Sequence, residues 1–104
     1  MTIKRAKKHL TQLYEQKNME AFVVFLEGLL PPRKFRTVIV EWANDSFGAD
    51  QDAWDTFWLS FTEEQSERLN YLGSSERERK YLFNLAGKRE LTPQEWFDLR
   101  ACDF

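Results

Sequence analysis

The sequence is poor in the residues that most often carry chemistry. Its one cysteine, Cys102, stands near the end of 104 residues, so no disulfide can form within the chain. A solitary thiol fits a reducing setting, and a cytoplasmic location is expected. It would need a basic neighbour to act as a nucleophile. The one histidine, His9, lies in a basic amphipathic stretch with no second ligand at a zinc-like spacing. The four glycines, Gly28, Gly48, Gly73 and Gly87, are scattered singly, whereas a phosphate-cradling loop needs several together. Neither an enzyme nor a cofactor is expected.

Long apolar runs are missing too. The longest stretch, residues 21–30, is broken by Glu27 and Gly28 and ended by Pro31-Pro32. That is far short of the roughly 20 residues that cross a bilayer. No apolar run follows Lys4, Arg5, Lys7 and Lys8 as a secretory signal requires. The chain is read as soluble, with no membrane partner.

Basic residues are absent from a whole segment. Residues 41–67 carry eight acidic groups and no Lys or Arg, whereas residues 1–40 carry eight Lys/Arg against three acids. The formal net charge of −2 therefore hides a strong division along the chain.

Aromatic residues are plentiful: nine Phe, four Trp and three Tyr. They argue against disorder, and a chain of this length can bury a core by itself. One helical domain over 1–104 is expected. Ile3, Ala6, Leu10, Leu13 and Tyr14 recur at helical spacing behind Thr2 as N-cap. Met19, Phe22, Val23, Leu26, Leu29 and Leu30 follow Asn18, with Val24 and Phe25 widening the stripe of what should be the central helix.

Phe35, Val38, Ile39, Trp42 and Ala43 continue a helix face, although the β-branched run 37–40 leaves a short strand near 36–41 as the alternative. Residues 44–52 read as a loop around Gly48, followed by the apolar face of Trp54, Phe57, Trp58 and Phe61. Thr62 with Gln65, Ser75 with Glu78, and Thr92 with Glu95 have capping-box spacing. Gly73 and Gly87 fall where left-handed C-caps belong. The fold class is all-α, a compact bundle of six to seven short helices.

Three surfaces compete for function. Calcium binding at the acidic loop fails on spacing: counted from Asp45, Asp50 stands where an EF-hand needs Gly and Thr56 where it needs Glu. A helix-turn-helix drawn through Gly73, with Arg77, Arg79 and Lys80 on its second helix, is weakened by the alternating Glu76 and Glu78. The favoured surface is acidic: Asp45, Asp50, Asp52, Asp55, Glu63, Glu64 and Glu67, with Phe47 as an exposed anchor. Carboxylates so spread could enter a basic cleft of a protein partner, for example one that binds nucleic acid, as an inhibitor or adaptor. Phe104 is a second candidate anchor.

The alternative is direct, sequence-tolerant nucleic-acid binding through Lys4, Arg5, Lys7, Lys8, Arg33, Lys34 and Arg36, provided their surfaces adjoin. A homodimer pairing basic and acidic segments is also compatible with the charge pattern.

Overall fold

A computed structural model describes residues 2–101; Cys102 and Phe104 lie outside the described residues. Seven α-helices account for most of them: α1 (Ile3–Glu15), α2 (Met19–Glu27), α3 (Pro32–Phe47), α4 (Gln51–Leu59), α5 (Glu63–Leu72), α6 (Ser75–Ala86) and α7 (Pro93–Ala101). No strand occurs among them, and no described helix is long and apolar enough to cross a membrane.

The helix starts follow local chemistry. Thr2 and Asn18 accept from the backbone N–H three residues on, as does Asp50 ahead of α4. Thr62 with Gln65 and Thr92 with Glu95 close reciprocal capping boxes. The cap of α6 is Ser74 rather than Ser75, its hydroxyl accepting from the Arg77 N–H. Gly73 and Gly87 keep negative φ, and the left-handed glycine is Gly48, at φ 53°.

The β-branched run in α3 is helical because Phe35, Val38 and Trp42 face the core at three- and four-residue steps. Burial outweighs the modest helix penalty of branching at Cβ. The expected loop shrinks to residues 48–50, since α3 runs on to Phe47 and stops only where Gly48 turns. Within α2, Phe22, Val23 and Leu26 are sealed from solvent, whereas Val24 faces outward.

The main core lies among α1 to α5 and is built from aromatic rings. Phe57 is its hub, with ring centroids 5.0–5.9 Å from those of Tyr14, Phe22, Trp42, Phe47, Trp58 and Phe61. The buried Trp42 indole donates to Thr11 Oγ1 at 3.1 Å, which satisfies its one polar atom. Leu82, Leu91 and Leu99 form a separate small core between α6 and α7. The molecule is accordingly elongated, 43 Å by 27 Å by 25 Å.

Ion pairs brace each of these parts. Arg68 of α5 reaches Glu20 and Glu27 of α2, and it holds the Glu20 carboxyl below its ordinary pKa. Arg89 grips Glu95 at 2.8–2.9 Å. That guanidinium, and next the Thr92 amide, bring the Glu95 carboxyl from an ordinary 4.5 down to about 2. A depressed folded pKa adds stability that is full above the ordinary value and lost as pH falls through the folded one. Acidification from pH 4.5 towards about 2 should therefore loosen the start of α7 from the 87–92 link that precedes it. Urea unfolding followed by circular dichroism across that range checks it. Glu95→Gln should flatten the pH dependence, and an unchanged slope in the variant would refute the assignment.

Candidate protein-binding surface

The acidic segment occupies the end of α3, the 48–50 link, α4 and the start of α5. Its carboxylates differ in freedom. Asp45 is spent locally, pairing with Lys7 of α1 at 2.8 Å, which raises the lysine's pKa. Asp50 caps α4, accepting from the Ala53 N–H at 3.1 Å, and Asp55 accepts from the Gln51 amide. Glu64 lies 3.8 Å from Arg68. Among the described residues no ion pair reaches Asp50, Asp52, Asp55, Glu63 or Glu67, and all five are exposed.

Helical geometry groups them. Asp52, Asp55 and Leu59 stand at i, i+3 and i+7 of α4, on one outward face. Leu59 is 83 % exposed there, and Trp58, 53 % exposed, stands on the flank beside Asp55. Behind Trp58 a shallow groove of about 100 Å³ is lined by Phe35, Ile39, Leu69 and Asn70 as well. On α5, Glu63 and Glu67 share a face one turn apart.

The exposed aromatic side chain among the acids is thus Trp58, with the exposed Leu59 beside it. Phe47 does not serve as an exposed anchor. It is half-buried, with its ring packed against Tyr14, Trp42, Trp54 and Phe57. The aromatic cluster draws the last turn of α3 inward, which a reading of 44–52 as loop could not anticipate. Leu59 was legible in principle, because a wheel of α4 sets it on the Asp52–Asp55 arc.

The basic residues do not converge. Lys7 faces Glu41 and Asp45 in the C-terminal half of α3, whereas Arg33, Lys34 and Arg36 open the same helix. At 1.5 Å per residue, about 18 Å of helix separate Arg33 from Asp45. Arg33 bridges Glu78 and Asp98, and Arg36 donates to the Gly73 carbonyl at 2.7 Å. Lys34 is half-buried, and Lys4, Arg5 and Lys8 remain exposed on α1.

Arg77, drawn above on a recognition helix, is buried and donates inward to backbone carbonyls. His9 stacks at a tilt on Phe25, with centroids 4.6 Å apart. No group of three or more potential metal ligands occurs among the described residues. Comparison with protein-family models, curated proteins and solved structures finds no match to this chain.

Proposed function

We propose that this chain is a non-catalytic binding protein, an inhibitor or adaptor, that docks its α4–α5 acidic surface into a basic cleft on a protein partner. The carrying observation is the pairing of exposed Trp58 and Leu59 with the exposed, unbridged carboxylates of Asp52 and Asp55 on one short helix. Interfaces gain most of their energy from a few aromatic anchors ringed by polar groups, and the surrounding charge accelerates encounter. A nucleic-acid-binding protein is the partner class this chemistry suits, because its phosphate-binding cleft presents converging Lys and Arg. Occupation of that cleft would exclude nucleic acid by simple competition.

The test is affinity capture from a native lysate, with and without nuclease, using wild type and two variants. One variant replaces Asp50, Asp52 and Asp55 together by Asn; asparagine caps a helix as well as aspartate does, so α4 should persist. The other is Trp58→Ala. A stoichiometric protein that survives nuclease, and that both variants lose by about tenfold or more in affinity, is the expected result. Retention of that partner by both variants would reject the surface. Recovery of nucleic acid alone, abolished by neutralising Lys4, Arg5 and Lys8, would replace the proposal with direct nucleic-acid binding.

A further inference from the structure

Helix α7 carries more apolar side chains than it buries. Leu99 points into the small core shared with α6. Outside that contact, Pro93, Trp96, Phe97 and Arg100 stand at i, i+3, i+4 and i+7 and line one shallow outward groove. That spacing is the stripe by which a helix buries itself against a neighbour. Nothing in the described fold covers it: Trp96 is 50 % and Phe97 67 % exposed. The two acids of the helix are turned away from the stripe, Glu95 to Arg89 and Asp98 to Arg33.

We infer that the α7 stripe is a homodimer contact, in which α7 of one copy packs antiparallel on α7 of a second copy around a two-fold axis. The stripe is self-complementary. Its midpoint falls between Trp96 and Phe97, so an antiparallel partner sets aromatic pair against aromatic pair. The same register carries each Arg100 past Pro93 of the other copy, beside the other aromatic pair, where a guanidinium over an indole or phenyl face is attractive. The two arginines stand at opposite ends of the contact, so like charges do not meet. No carboxylate of the stripe is left facing an apolar partner.

The area suits a reversible dimer. Large aromatics bury roughly 150–250 Å² each when fully covered, so the exposed portions of Trp96 and Phe97, with Pro93 and the Arg100 stem, offer about 400–500 Å² per copy. Doubling this gives about 800–1,000 Å², below the roughly 1,200 Å² at which standard specific interfaces begin and within the range of weak, transient contacts, so the association is weak and concentration-dependent. An isologous two-fold contact closes after two copies. It also leaves α4 free, because α7 adjoins the first turn of α3 through Arg33 while α4 packs at its last. The dimer therefore presents two acidic faces at once. The inference rests on α7 alone and stands independently of what those faces bind.

Sedimentation velocity of the whole chain, from micromolar to several hundred micromolar, tests this. Wild type should pass reversibly from monomer to dimer. Phe97→Asp and Arg100→Glu should each raise the dissociation constant about tenfold or more while leaving the thermal melt of dilute protein unchanged. Leu59→Asp, on the other exposed apolar face, should leave the dimer intact. A wild type monomeric throughout, assemblies that grow beyond two copies, or a dimer lost with Leu59→Asp but kept with Phe97→Asp would each overturn the inference.

Discussion

Phe57→Ala should lower stability by about 3–5 kcal/mol, the range for truncating a fully buried Phe. Phe57 is 1 % exposed and touches six aromatic rings drawn from α1, α2, α3, α4 and the turn before α5. Large rings on every side cannot collapse into the vacated space without leaving their rotamers, so most of the cavity term persists. For a domain of this size the loss corresponds to a fall in Tm on the order of 15–30 °C. Trp58→Ala, one residue further along the same helix, should cost less than about 1 kcal/mol because half of that side chain already faces water. Chemical denaturation of the two variants separates the cases. A Phe57→Ala cost below about 1.5 kcal/mol would mean that the aromatic cluster is not the centre of the fold.

Arg77→Ala should cost about 2–4 kcal/mol, for a different reason. The guanidinium is buried without an ion-pair partner among the described residues, and burial pushes its pKa down. It donates to the Leu29 carbonyl at 2.9 Å, Leu72 at 3.2 Å and Glu27 at 3.3 Å, and its carbon lies 5.9 Å from the Phe35 ring centre. These carbonyls belong to the ends of α2 and α5, where intrahelical donors run out. One planar fork thus closes two helix ends and holds α6 against them, a geometry a single ammonium cannot reproduce. Hydrogen bonds to a charged donor contribute about 1.5–3 kcal/mol each, and water entering the vacated site offsets part of their loss.

The damage should also be local. Amide hydrogen exchange should accelerate across 75–101 well before it does in α1 and α2, because α6 and α7 have only a small core of their own. Arg77→Lys should recover less than half of the lost stability. Exchange rising equally in all helices would refute the idea that Arg77 acts as a tether.

These two residues also mark how much could be read beforehand. Phe57 belongs to a helical stripe with Trp54, Trp58 and Phe61, so an apolar face there follows from spacing, although spacing does not separate the buried Phe57 from the half-exposed Trp58. Arg77 sits in the run Glu76-Arg77-Glu78-Arg79-Lys80, which has the composition of a solvated face. Nothing local distinguishes it from Arg79, because its partners are carbonyls 48 to 50 residues away, as well as Leu72 nearby. The same limit affected the acids. Asp45 and Asp52 look alike in sequence, and only the packing of α1 on α3 neutralises the first.

What the sequence determined by itself was a set of properties fixed within one helical turn or by summed composition. Helical periodicity, the caps at Thr2, Asn18, Thr62 and Thr92, and the uneven charge of 41–67 depend on neighbours three or four residues apart. The tertiary structure alone decided which aromatics face water and which charges are already answered. It turned Phe47 inward and left Trp58 out, parted the two basic clusters by much of the length of α3, and split the apolar residues of α7 between a core and an open face. Those outcomes depend on which helix lies against which, and that is a property of the whole packed chain rather than of any segment in it.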